Sequence, residues 1–197
     1  MRLFTALEIQ PEDRKRIYSW ADRNLPLPSF GQVAQTNYHI TLAFFGEIKH
    51  QNTEALVEQL TSANERLSTP SLSLRLDHVA FWPKTGIIWI GPSSWPNALN
   101  KLATSHASAG TRYGAKKSNQ AYQPHVSLAR GAQEMRPPLH EPEIEISIRH
   151  IALYESQSGS TGKVEYHAIE RWSLSEHIKQ WGERSLKNQK RQQKPGN

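Results

Sequence analysis

The chain has 197 residues, of which 37% are hydrophobic and 21% charged, a balance that suits one globular domain or two small lobes sharing a core. It contains no cysteine, which excludes disulfides, thiolate metal sites and cysteine nucleophiles together. The absence of any run of about 18 apolar residues excludes a membrane-spanning helix.

The formal charge of +6 is unevenly placed. Between Glu183 and Asn197 five basic residues face one acid, so +4 sits there and +2 on everything before it. Strong capture of long nucleic acid by the globular body is therefore not expected, whereas a local phosphate site is compatible with the charge. The first residues, Met1 to Ile9, are too soon interrupted by charge to form a signal peptide, and the chain is expected in the cytoplasm.

Arg2 to Ile9 alternates and predicts a first strand. Pro11-Glu12-Asp13 opens a helix with proline and acids in its first turn, and Pro26 and Pro28 end it. Tyr38 to Phe45 predicts an apolar strand, and Asn52 to Leu67 a second helix with Ala55, Leu56, Leu60, Ala63 and Leu67 on one face. Leu72 to Leu76 has period two and runs on to Trp82. Lys84-Thr85-Gly86 then turns into a strand at Ile87 to Ile90. A third helix is predicted from Pro96 to Arg112 behind a Ser94 cap. Pro124 to Ala129, Glu143 to Tyr154 and Val164 to Leu174 predict further strands, the last two joined by a flexible loop at Gly159 to Gly162. Residues 1–182 form the folded unit, and 183–197 read as a basic, disordered tail. Hairpin signals among about three helices give an α+β class with mostly antiparallel pairing.

One pattern occurs twice: His39-Ile40-Thr41-Leu42 and His125-Val126-Ser127-Leu128. On a strand, His39 and Thr41 share one face while Ile40 and Leu42 anchor the other, and the second copy repeats this. Two imidazoles and two hydroxyls converge if the strands lie close together. That set suits phosphodiester cleavage, in which attacking water loses a proton and the departing oxygen gains one. Histidine titrates near neutrality, so one ring can be base and the other acid, with the hydroxyls donating to phosphate oxygens. Arg130 would clamp the phosphate if the strand bulges, since three residues on from His125 a regular strand points it away. A lone His-x-Thr is usually structural, and the other seven histidines read as structural or surface residues. Neither tetrad carries an acid or third histidine, so no metal site is expected. Phe81 and Trp82 are the one aromatic pair considered for base stacking, with the core as the blander reading.

At these tetrads the chain resembles the two-histidine phosphoesterase superfamily. Within it the chain resembles the RNA 2′,3′-cyclic phosphodiesterases, also called the 2′-5′ RNA ligase family. The resemblance runs from Arg2-Leu3-Phe4-Thr5-Ala6-Leu7 through Asn37 to Glu47, Ile88 to Gly91, Pro124 to Arg130 and Leu153 to Ser156, ending at Trp172-Ser173-Leu174. It implies a bilobed fold of two pseudo-symmetric sheets around a central cleft, with helices outside. His39 would be proton donor and His125 proton acceptor, and no cofactor would be needed. The reaction implied is hydrolysis of a terminal 2′,3′-cyclic phosphate to a 2′-phosphate, with reversible 2′-5′ joining as a second activity. RNA ends or small cyclic nucleotides would be the substrate of a monomer. Ser127 stands where threonine is more usual, and Tyr122-Gln123 where Phe-x is more usual. A catalytically idle RNA-end or nucleotide-binding module on the same fold is the alternative.

Overall fold

The computed structural model describes residues 1–28, 31–116, 120–159 and 164–175. Most of the predicted loop at 159–162 and the whole tail from 183 lie outside the described residues, as does the boundary at 182.

Nine strands and three α-helices are described, in the order β1 (Arg2–Glu8), α1 (Pro11–Asn24), β2 (His39–Glu47), α2 (Thr53–Leu67), β3 (Leu72–Leu76), β4 (His78–Trp82), β5 (Ile87–Gly91), α3 (Asn97–Thr111), β6 (Val126–Ala129), β7 (Ile144–Ile148), β8 (His150–Ser158) and β9 (Val164–Ser173). The strands form a four-stranded sheet β2-β1-β8-β9, a three-stranded sheet β4-β5-β6 and a β3-β7 ribbon, with every ladder antiparallel. The α+β class and the two-sheet plan are those the sequence predicts.

Two predicted strands are in fact pairs. The run from Leu72 to Trp82 breaks at Asp77, whose carboxylate accepts from the Ser93 backbone N–H at 2.7 Å and from the Ser93 hydroxyl at 2.8 Å. The run from Glu143 to Tyr154 breaks at Arg149, where the chain leaves the ribbon for the four-stranded sheet. At each break two polar residues in a row, Asp77-His78 and Arg149-His150, shift the alternation by one, a local sign that the sequence reading passed over. The third helix starts behind Pro96, not Ser94: Pro96 is the N-cap, and no side-chain bond closes that end.

The two lobes repeat one design. In each, a strand leads through a helix to a second strand that pairs antiparallel with the first: β1-α1-β2 and β5-α3-β6. The registers correspond, with Ala6 opposite Thr41 and Leu7 opposite Ile40 in one lobe, and Trp89 opposite Ser127 and Ile90 opposite Val126 in the other. The larger core joins Leu7, Ile17 and Ile40 to Leu74, Ile90, Val126 and Ile146, so it spans both lobes. A smaller one lies where α2 and α3 cover the four-stranded sheet, around Phe45, Leu56, Leu60 and Ala109. Gly110 is required there, because a Cβ would run into the Phe45 ring.

His106 of α3 is fully buried between the sheet and α2. Its Nε2 lies 2.9 Å from Asn64 Oδ1, an acceptor, so Nε2 carries the hydrogen. Nδ1, 3.0 Å from the Thr5 hydroxyl, accepts. Burial pushes the His106 pKa down to about 3. The unfolded chain therefore binds a proton below pH 6.5 that the fold refuses, and stability falls as pH drops from 6.5 toward 3. The expected loss attributable to His106 is about 2 kcal/mol by pH 5. Urea unfolding at pH 7 and pH 5 checks this: His106→Gln should lose less stability than wild type between the two, and an equal loss would contradict it.

Candidate active site

Each tetrad sits on an inner strand end facing the other lobe. His39 opens β2, and His125 immediately precedes β6. Ile40 and Leu42, like Val126 and Leu128, are buried, while His39, Thr41, His125 and Ser127 are half-buried on the opposite face. The face assignment made from period two therefore holds for all eight residues.

A bulge falls on the last residue of each tetrad. On β2 the register passes from Ala6↔Thr41 to Thr5↔Ala43, leaving Leu42 unpaired, and on β6 it passes from Trp89↔Ser127 to Ile88↔Ala129, leaving Leu128 unpaired. The extra residue shifts the alternation by one, so Leu42 and Ala43 both go to the core, as do Leu128 and Ala129. The next residue then returns to the cleft face. In the first lobe it is Phe44, exposed and topped by the Arg2 guanidinium 5.1 Å from the ring centroid. In the second it is Arg130. Its backbone N–H donates to the Gly31 carbonyl at 2.8 Å, and its charge reaches both histidines, holding the pKa of each down.

The two imidazoles are fixed in the same way. His39 Nδ1 lies 2.7 Å from the Asn37 carbonyl, and His125 Nδ1 lies 2.9 Å from the Gln123 carbonyl, in each case two residues back. A carbonyl only accepts, so both Nδ1 atoms carry hydrogen and each Nε2 is left to exchange a proton. His39 Nε2 is 3.1 Å from Thr41 Oγ1. Burial is the largest cause pushing His39 down to about 4, with the charges of His125, Arg130 and Arg14 adding to it. Burial also lowers His125, with Arg130 adding to it. The effect of His125 on His39 puts the two rings within electrostatic reach of each other. Tyr122 links the lobes directly, its hydroxyl donating to the Thr41 carbonyl at 3.1 Å. The departure from the usual Phe-x at that stretch thus supplies a bond between the two tetrad strands.

Aromatic walls back both rings. Phe4 and Tyr166 lie 5.0 and 5.1 Å from His39, centroid to centroid, with Tyr154 stacked on Phe4. Trp82 meets His125 edge-on at 4.6 Å, and Trp89 and His78 continue that wall. Of the pair Phe81-Trp82, the structure brings only Trp82 to the site. Phe81, on the other face of β4, packs against the larger core. The sequence reading missed Phe4, Trp89, Tyr154, Tyr166 and His78, because their positions follow from register between distant strands. Among the described residues, no three His, Cys, Asp or Glu side chains gather where they could hold a metal ion, and no helix is long and apolar enough to cross a membrane.

Comparisons with known proteins agree with this architecture. A protein of Escherichia coli K12 named RNA 2′,3′-cyclic phosphodiesterase is 31% identical over 178 residues, covering 89% of this chain and 97% of that one. A Methanocaldococcus jannaschii protein of the same name is 24% identical over 184 residues, covering 87% of this chain and all of that one. The crystal structure of E. coli LigT complexed with 3′-AMP superimposes with a TM-score of 0.76 at 30% identity, over 88% of this chain and 97% of that one. A Thermus thermophilus structure, at 22% identity and a TM-score of 0.70 over 90% of this chain and all of that one, shares the fold. The family described as the 2′-5′ RNA ligase superfamily matches residues 10–160, and this chain, with its paired His-x-Thr/Ser strands, belongs to it.

Proposed function

We propose that the chain hydrolyses terminal 2′,3′-cyclic phosphates of RNA to 2′-phosphates, with His125 as general base and His39 as general acid and without a metal. The observation that carries this is the paired Nδ1-to-carbonyl anchoring, which leaves one reactive Nε2 from each lobe. The names of the E. coli and M. jannaschii relatives support the substrate class.

In the reaction, His125 Nε2 accepts a proton from water as the water oxygen bonds to phosphorus. His39 Nε2 gives a proton to O3′ as the P–O3′ bond breaks, leaving the phosphate on O2′. Thr41 and Ser127 donate to the non-bridging oxygens, and Arg130 neutralises the charge that gathers there. In the free protein both rings favour the neutral form. The bound phosphodiester anion offsets Arg130 and raises both pKa values, which lets His39 carry its proton. With a 5′-hydroxyl in place of water, His125 would take the hydroxyl proton as the P–O5′ bond forms and His39 would protonate O3′ as the P–O3′ bond breaks, giving a 2′-5′ linkage.

The test is incubation with an oligoribonucleotide ending in a 2′,3′-cyclic phosphate. The expected product is a 2′-phosphate end, formed at the same rate after chelation and elemental analysis show the protein metal-free. No turnover would favour the idle binding module, and activity lost on chelation and restored by zinc or manganese would overturn the metal-independent route.

A further inference from the structure

His39 itself lines a cavity of about 140 Å³, together with Glu8, Arg14, Tyr154, Tyr166 and Arg171 among others. Its two guanidiniums and one carboxylate leave it net positive. Arg14 is held rigidly: Nε donates to the Ile9 carbonyl at 2.7 Å and Nη1 to the Thr36 carbonyl at 2.9 Å, and Nη2 has no partner among the described residues. Arg171 Nε donates to Glu8 Oε1 at 3.3 Å, and among the described residues neither Nη has a hydrogen-bond partner. The Glu8 side chain is 17% exposed against 57% for Arg171, so the arginine, not the carboxylate, presents itself outward. The Tyr154 hydroxyl donates to the same Glu8 oxygen at 3.4 Å.

The second lobe is built differently at the equivalent place. Glu8 pairs with His39 in the register, and the matching place beside His125 is Gly91, where even a Cβ would run into the Pro124 carbonyl. A symmetric frame has been made one-sided. A terminal cyclic phosphate is one-sided too, because the RNA chain continues only through the 5′ oxygen of its ribose. If His39 protonates the departing O3′, the ribose, and the chain with it, lies on the His39 side of the phosphorus.

We propose that the Arg14–Arg171 pocket binds the phosphodiester 5′ to the terminal cyclic nucleotide, so that the enzyme prefers an RNA end to a free nucleoside cyclic phosphate. This rests on the acid role given to His39 above. Arg171 supplies Nη donors and Arg14 a fixed Nη2, and Glu8 orients Arg171 while limiting the net charge.

The experiment compares adenosine 2′,3′-cyclic phosphate with its 5′-phosphorylated form. Wild type should favour the 5′-phosphorylated substrate in kcat/KM by roughly tenfold or more, the worth of a charge-assisted contact. Arg171→Gln should bring that ratio close to one. Glu8→Gln, which removes the competing carboxylate, should raise it. A wild-type ratio near one, or a ratio that survives in Arg171→Gln, overturns the proposal. Binding gives a reading independent of turnover. Wild type should hold adenosine 2′,5′-bisphosphate tighter than 2′-AMP by a similar factor, and equal affinities overturn the proposal. Wild type that binds both with that preference but turns over neither substrate would instead defeat the catalytic reading and leave the pocket supported.

Discussion

Replacing either His39 or His125 by alanine is expected to slow hydrolysis of an RNA 2′,3′-cyclic phosphate by about 10²–10⁴-fold, since each removes a proton transfer that the reaction needs. The wild-type pH profile carries a further expectation. Burial, and then the charges around the cleft, hold His39 down to about 4 and lower His125 as well. The active form needs one ring charged and one neutral. As pH rises through the higher of the two depressed values, already below the ordinary histidine value of about 6.5, the free protein loses the charged ring. As pH falls below the lower of the two depressed values, it loses the neutral one. The summit of kcat/KM should therefore lie on the acid side of 6.5, while the summit of kcat, which reports the complex with its anionic substrate, should lie at higher pH. Steady-state rates from pH 4 to 9 check both. A kcat/KM summit above pH 7 would show that these depressed histidines do not govern the reaction.

The second large effect concerns Arg130 and the glycine that supports it. Arg130→Ala should cost about 1.5–3 kcal/mol of transition-state stabilisation, the range for hydrogen bonds to charged groups, or roughly 10–150-fold in kcat/KM. Gly31 should be nearly as sensitive although it offers no side chain. It adopts a φ of +77°, which disfavours any residue with a Cβ, and a Cβ there would collide with the Arg130 carbonyl. The Arg130 N–H to Gly31 carbonyl bond at 2.8 Å and the Val33 N–H to Leu128 carbonyl bond at 2.9 Å tie that segment to the end of β6. Gly31→Ala must therefore move the arginine or strain the strand. Activity should fall with KM rising, since a displaced guanidinium holds both ground-state and transition-state phosphate less well. Unchanged kinetics in a folded Gly31→Ala protein would show that Arg130 is not held in place from this side.

The candidate site residues were legible because each tetrad is local. Four consecutive residues on one strand state which side chains share a face, and a second copy raises the pattern above a lone His-x-Thr. Arg130 was half legible. The sequence shows a basic residue after the tetrad but not the Leu128 bulge, because nothing in Ser127-Leu128-Ala129 marks it; only the pairing with Trp89 and Ile88 does. Phe81 and Trp82 show the opposite limit. Both are large aromatics beside a turn, and only strand phase sends Trp82 to His125 and Phe81 to the core. The breaks at Asp77 and Arg149 do leave a local sign, two consecutive polar residues that slip the alternation by one, but strand-like sequence on both sides hid the change of sheet. His106, one of seven histidines read as structural or surface, is buried, but Thr5 and Asn64 lie far from it in sequence. The first-lobe wall of Phe4, Tyr154 and Tyr166 comes from three strands; the resemblance runs through Phe4 and Tyr154, but nothing local marks any of the three as a neighbour of His39.

The central claim, that His39 gives a proton and His125 takes one, is tested most directly by changing the leaving group. Nitrophenolate departs readily without receiving a proton, so a nitrophenyl phosphodiester relieves the reaction of its acid but not of its base. Measured on that substrate and on an RNA cyclic phosphate, His39→Ala should recover much of its lost rate on the nitrophenyl ester, and His125→Ala should stay slow because its water is still not activated. Rescue of His125→Ala and not of His39→Ala would reverse the two roles, and rescue of neither would contradict the acid–base account.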